Sequence, residues 1–443
     1  MEFVMKKRFY NKSIIKKNPL LRLPVLIVLS ILLLPISEYA QESRNELKLI
    51  SLTEKGIPAG ERSIQSMITN GPVIYGATSG RRAHIFRFNP VTGEFRDLVQ
   101  INGPVTVHHS LTMDGDGSLW FGTTLDKNQL YIASRRKGLN LHLTEVSKMP
   151  MTSDDLHVGY LYRVLRPESE QPVVEEMGVP VQEQAIHSMV CDPARNIIYG
   201  FTFPLGRFFI YDIQTGNTET IVYGKRLVRE YPDSLYITED VTEFIPNSED
   251  ILEKNIAKAL ILDAEGNLYT SGHKGKLLRL RPGTKTFEEI ASLPCVPGRE
   301  EWTSVEALTW SPDGNLYGAT IDGYIFRYSP FSNKLVNLGK PFRSQGISGL
   351  VCRSNGVIYG VGGGTLEGLA RFFVYDPSEG GFQLATFLKE EKNKSGAEWK
   401  TTYSPLGIVS FHGVGAMVVD PDDRIIIGET MRKANILIVC PLR

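Results

Sequence analysis

The sequence predicts an all-β fold, a seven-bladed β-propeller whose ring is closed by an N-terminal strand completing the last blade. Three observations predict it. A strand–turn–strand unit recurs seven times, further strands trail most copies, and the final copy runs out before its fourth strand.

The recurring unit is plain in "VHHSLTMDGDGSLWFGTT", which starts at Val107. It returns as "SIQSMITNGPVIYGAT" from Ser63, "AIHSMVCDPARNIIYGFT" from Ala185 and "IAKALILDAEGNLYTSG" from Ile256. "SVEALTWSPDGNLYGAT" from Ser304, "GISGLVCRSNGVIYGVG" from Gly346 and "GVGAMVVDPDDRIIIGET" from Gly413 complete the set. Each copy has an apolar strand, a turn of Asp, Pro, Asn and Gly, and a second strand that often ends in Tyr-Gly. A third strand follows most copies, as in "HIFRFNP", "YIFRYSP" and "RFFVYDP". A fourth comes next, as in "EFRDLVQI" and "KLVNLGKP". Four short antiparallel strands cannot bury both faces alone, so the units stack radially about a channel. The last copy ends at "NILIVCPLR", and "ELKLISLTE" near the other end of the chain can supply the missing strand.

Residues 1–40 read as a secretory signal: the basic "MKKRFYNKSIIKKN", the apolar "LPVLIVLSILLLPI" and a small residue, Ala40, at the expected cleavage point. The alternative is a single membrane anchor, but the run is short for a span and meets Pro35. The expected mature chain is the propeller, residues 41–443, exported to the periplasm or the cell exterior, monomeric and without stable membrane insertion. A formal net charge of zero, with no basic run in the body of the chain, argues against a nucleic-acid partner. Cys191, Cys295, Cys352 and Cys440 are too few and too scattered for a disulfide scaffold and read as free thiols.

The first strand of each blade lies nearest the axis. Just before the small residue of its pattern stand Gln65, His109, His187, Lys258, Glu306, Ser348 and Gly415, a ring at one mouth of the channel. By strand alternation, His108 points the opposite way from His109. The residue opening the third strand is His84, Arg207, Lys276, Tyr324, Arg371 or Asn435 in six of the blades, on the same face. Three insertions fall there as well: Leu125 to Gly159, Arg226 to Asn255 and Glu390 to His412. Loops elaborated on one side of a rigid scaffold predict a binding rim.

Gln65, His109, His187 and Glu306 could hold a metal, Ca²⁺ or Mn²⁺ where oxygen ligands and water dominate, or form a hydrogen-bonded polar plug. No organic cofactor is expected. His84, His108 and His109 are candidates for general acid–base work, against the alternative of ordinary loop histidines. Arg207 and Arg371 suit a carboxylate, or an inter-blade salt bridge, with Tyr324 and Lys276 beside them as substrate-binding candidates. His412 could join the site, while His142, His157 and His273 fall in no clear column. "VGGGTLEG" opens no helix and makes no phosphate cradle, and no nucleophile elbow or paired-carboxylate motif is visible.

On "TSGRRAHIFRFNP" with His84, "VHHSLTMDGDGSLW" with His108 and His109, and "AIHSMV" with His187, the chain resembles the propeller polysaccharide lyases. Among these it is most similar to the enzymes that release terminal L-rhamnose from the rhamnose–α-1,4–glucuronate caps of arabinogalactan, some first described as α-L-rhamnosidases. The resemblance spans nearly all of the mature chain. It implies β-elimination on a uronate-containing oligosaccharide or polysaccharide, with a cation near the axis in some members. More distantly the chain resembles the oligogalacturonate lyases, whose histidines and glutamine on a cation are echoed by Gln65, His109 and His187. Hydrolysis of the same linkage, a non-catalytic glycan-binding or sensory propeller, and a lyase acting on a cyclic ester are the other readings left open.

Overall fold

The computed structural model describes residues 45–441, except 62, 81, 102–104, 126–158, 183, 204–205, 222–256, 273–274, 301–302, 343–345, 364–369, 385–386, 393–398, 405–407, 410–412 and 431–433. The leader, His142, His157, His273, His412 and most of the three insertions lie outside the described residues. Within them the chain is all-β and forms seven sheets of the expected order, the blades of a propeller, antiparallel but for one parallel pairing in blade seven, together with a two-stranded pairing of Val105–Thr106 and Thr124–Leu125. The innermost strands are Ser63–Asn70, Leu111–Met113, Ala185–Asp192, Ile261–Leu262, Val305–Trp310, Ile347–Cys352 and Val414–Val419.

The ring closes as the sequence predicts. Asn45–Ser51 pairs antiparallel with Asn435–Pro441 over seven residues and serves as the outer strand of blade seven. A hairpin from the third insertion extends that sheet: Phe387–Lys392 pairs parallel with Asn45 and Glu46, and Trp399–Ser404 pairs with it in turn. The closing strand is therefore flanked by backbone on both sides at its start.

The core lies between the blades. Seven apolar clusters fill the gaps between successive sheets, each drawing residues from two neighbours. Ile64 and Phe86 of blade one, for example, pack with Ile426 and Ile436 of blade seven. The recurrent Tyr-Gly now has a cause. Gly76, Gly200, Gly318 and Gly360 pair across the sheet with Phe86, Phe209, Phe326 and Phe373. Each phenyl ring lies so close over its glycine that an added Cβ would come within 2.1–2.5 Å of it. Only glycine leaves room for an aromatic directly opposite, and the ring in return fills the space an absent side chain would leave.

At the opposite end of the blades, the turn between the first two strands is tied down by a buried aspartate. Asp114 accepts from the Trp120 indole at 2.8 Å and from the amides of Asp116 and Ser118, and pairs with Arg163. Asp192, Asp263 and Asp420 repeat the device with Arg195, Tyr269 and Arg424. None of the four cysteines forms a disulfide. Burial pushes Cys191 up to about 12 and Cys352 up to about 11, which makes both poor nucleophiles.

Candidate functional site

The innermost strands line a central cavity of about 290 Å³. Gln65, His109, Lys258, Glu306, Ser348 and Gly415 line it, over apolar walls that include Met67, Leu111, Met189 and Met417. A backbone irregularity aims these side chains. In blades one, three, five, six and seven the strand pairing skips one residue: Gln65, His187, Glu306, Ser348 and Gly415 respectively. Each is the extra residue of a β-bulge, unpaired on the ladder and turned out of the regular alternation. Gly415 is required by crowding, since a Cβ there would meet the Ile64 carbonyl at 2.3 Å.

Serines that follow the ring residue knit blades one to four together. Ser66 Oγ accepts from the Leu111 amide at 2.9 Å, and Ser188 Oγ donates to the Ala257 carbonyl at 2.7 Å. The Met189 amide donates to the His109 carbonyl at 3.0 Å, and Ser110 Oγ donates to Gly122 within its own blade. In the sequence these serines are legible only as small residues. Their difference from Ala259, Ala307 and Ala416 at the same position is the signal that would find the stitching.

Three imidazoles meet where blades two and three adjoin. The ring centroid of His187 lies 5.1 Å from that of His108 and 6.0 Å from that of His109. His109 lines the cavity and His108 is not among its lining residues, yet both rings meet His187. The backbone from Val107 to Ser110 is not a regular strand, and His109 makes only an isolated bridge to Ser188, so alternation does not apply there. All three rings are half-buried, and His109 lines the cavity. Enclosure by protein is the main cause that lowers their proton affinity, to about 4 for His108 and about 3 for His109, and well below the usual range for His187. The nearby Lys258 ammonium acts on all three in the same direction. At neutral pH the cluster is uncharged.

This has a consequence for stability. In the unfolded chain these imidazoles take up protons near their ordinary value of about 6.5, whereas the folded protein resists protonation until about 4 or below. Between those limits the unfolded state binds more protons, so stability falls as pH drops from about 6.5 towards 4. Urea unfolding at pH 7.5 and pH 5 is expected to show the loss, and His108→Gln to make it shallower.

Beyond the imidazoles, Lys258 Nζ sits on Glu306 Oε2 in an ion pair between blades four and five. On the other arc of the ring, Gln65 Oε1 and Ser348 Oγ are buried with no hydrogen-bond partner. The third-strand column engages the outer strands of its own blades. His84 is 1% exposed, with Nδ1 2.7 Å from Asp97 Oδ2, and its buried Nε2 has no hydrogen-bond partner. Lys276 Nζ donates to Ser292 Oγ at 2.9 Å, and the Lys340 ammonium stands 4.3 Å above the Tyr324 ring. Arg207 is exposed and Arg371 half-buried, opposite Gly362. The structure thus brings His108, His109 and His187 together and leaves His84 outside that cluster, under blade one.

Among the described residues, no three His, Cys, Asp or Glu side chains gather as a metal ion requires. The proposed ligand Glu306 is engaged by an ammonium that would repel a dication, so Gln65, His109, His187 and Glu306 do not fit a Ca²⁺ or Mn²⁺ site as they stand.

No protein-family profile and no curated protein matches the sequence. Solved structures do match in fold. Virginiamycin B lyase from Staphylococcus aureus superposes with a TM-score of 0.55 at 12% identity, covering 90% of this chain and 99% of that one. A streptogramin B lyase gives 0.54 at 14% identity over 89% and 98% of the two chains. The extracellular domain assigned to a hybrid two-component system of B. thetaiotaomicron gives 0.55 at 13% identity, over 89% of this chain and 39% of that one. At such identities the likeness is one of fold, and the fold it supports is the seven-bladed propeller.

Proposed function

We propose that the protein is an exported, carbohydrate-active lyase that cleaves a uronate-containing glycan by β-elimination at the channel mouth. Its proposed substrate is the rhamnose–α-1,4–glucuronate cap of arabinogalactan. The observation that carries the reading is the cluster of three imidazoles held uncharged beside an ammonium. Uncharged imidazole is the form that removes a proton, and a substrate carboxylate bound beside it would raise its lowered proton affinity toward the working pH. In a uronate, the C5 proton is acidified by the adjacent carboxyl group once that group's charge is neutralised. An imidazole takes the C5 proton, the C–H electron pair becomes the C4–C5 double bond, and the C4 oxygen leaves with its bonding pair and takes up a proton.

Stereochemistry favours glucuronate. In that sugar the C5 proton and the C4 oxygen lie on the same side of the ring, so base and acid approach from one side. Adjacent imidazoles can do both, one accepting the proton and the resulting imidazolium returning it to the departing oxygen. In galacturonate the two groups lie on opposite faces, which a single patch serves poorly. Arg207 and Arg371 lie in the third-strand column of the same face, as further carboxylate ligands. Hydrolysis by paired carboxylates is disfavoured, because Glu306 is the ring's one acidic residue and is tied to Lys258. The two solved propeller lyases support the reading only in that this scaffold can host a lyase.

The test is incubation with arabinogalactan carrying rhamnose–glucuronate caps, following free rhamnose and the ultraviolet absorbance of an unsaturated uronate, with and without chelator. Both signals together are expected. Rhamnose without absorbance would make the protein a rhamnosidase. Silence across a panel of uronate polymers would make it a binding or sensory propeller. Loss of turnover with chelator would restore a metal to the site.

A further inference from the structure

We infer that Lys258 is the group that receives the substrate's carboxylate, and that Glu306 is a resident carboxylate occupying its place until substrate arrives. The inference rests on the uronate reading above and names the residue that performs its charge neutralisation. Of the seven ring positions, blade four alone offers a cation. The ion pair is lopsided: the Lys258 side chain is 40% exposed and that of Glu306 only 9%. The ammonium is therefore the partner an incoming anion meets. It carries three N–H donors, and Glu306 engages it through one carboxylate oxygen.

Its position is fixed relative to the imidazoles. The residue before it, Ala257, accepts the Ser188 hydroxyl at 2.7 Å, and Ser188 directly follows His187. Lys258 and His109 line the same cavity, so cation and base share one site. A carboxylate on Lys258 would leave the rest of a sugar over the mouth of the channel. There the side chains of Gln65 and Ser348 line the cavity, and a turn of either would bring its buried, unpartnered oxygen to a sugar hydroxyl.

The experiment is calorimetric titration of the intact protein with sodium D-glucuronate, with D-glucose as the uncharged control. Wild type, Lys258→Met, Glu306→Gln and the charge-matched double variant are compared. Losing one charged hydrogen-bond partner is expected to weaken glucuronate binding roughly 10- to 100-fold in Lys258→Met. Glu306→Gln, which removes the competing carboxylate, is expected to bind glucuronate several-fold more tightly. The double variant is expected to follow Lys258→Met, which separates loss of the ligand from the cost of an orphaned Glu306. Glucose is expected to distinguish none of them. Unchanged glucuronate binding in both lysine variants, weaker binding in Glu306→Gln, or no glucuronate binding by the wild type would overturn the inference. Turnover is scored separately. A wild type that binds through Lys258 but releases no rhamnose fails the elimination reading alone, and one whose Lys258→Met variant keeps full turnover fails the lysine assignment alone.

Discussion

Deleting residues 45–51 is expected to abolish the cooperative fold rather than merely weaken it. The strand contributes all seven of its residues to the ladder with Asn435–Pro441, and Ile50 packs with the cluster of Ile436 and Ile438. Just after it, Leu52 and Ile57 are buried in the same cluster, between blades seven and one. Without the strand, blade seven keeps three strands and an open edge, and the last interface of the ring loses its anchor. Each buried aliphatic side chain contributes about 1.5–3 kcal/mol, against a total stability of about 5–15 kcal/mol for a domain. A radial assembly with one open joint also exposes a strand edge to other copies. Circular dichroism on heating should show no sharp transition, and sedimentation should show self-association. A truncated chain that melts like its parent as a monomer would mean that closure is not what holds the ring.

His109→Ala is expected to leave the melting temperature within a few degrees of wild type and to lower kcat/KM on the rhamnose–glucuronate linkage by about 10²- to 10⁴-fold. The substitution keeps the carbonyl that accepts the Met189 amide, so the stitching of blades two and three survives. Because the folded imidazole protonates only near 3, the acid limb of the wild-type pH profile should lie below about pH 5 rather than near 6.5. Full turnover in this variant would remove His109 from the reaction. His84→Ala run beside it decides the role of the pair with Asp97. Loss of stability at unchanged kcat would assign that pair to the blade, and loss of kcat to the chemistry.

The blades and their closure were legible because they rest on local signals. Alternating apolar residues and Asp-, Asn- and Gly-rich turns recur at each copy, and a chain end short of one strand must find it elsewhere. Six of the seven ring positions line the cavity, and most of them were legible because a polar side chain interrupts an otherwise apolar strand. The details within it were not. That the His108 and His109 rings both meet His187 is not readable from alternation, because the backbone from Val107 to Ser110 is not a regular strand. The Lys258–Glu306 pair joins residues 48 apart in sequence, and only the packing of blade four on blade five brings them together. Strand position found His84 near the head of the third strand, but not its contact with Asp97, which stands opposite Phe86 across a register shift while Gln100 stands opposite His84.

The bulges carry an implication for how such a protein can change. A residue at a bulge has already left the ladder, so no cross-strand partner depends on its side chain. Glutamine, histidine, glutamate, serine and glycine all occupy that position in this single chain without altering the sheet behind it. Apart from blade seven, where crowding admits only Gly415, the hub therefore works as a set of interchangeable sockets. Selection could rewrite its chemistry one spoke at a time while the interleaved apolar layers stay untouched.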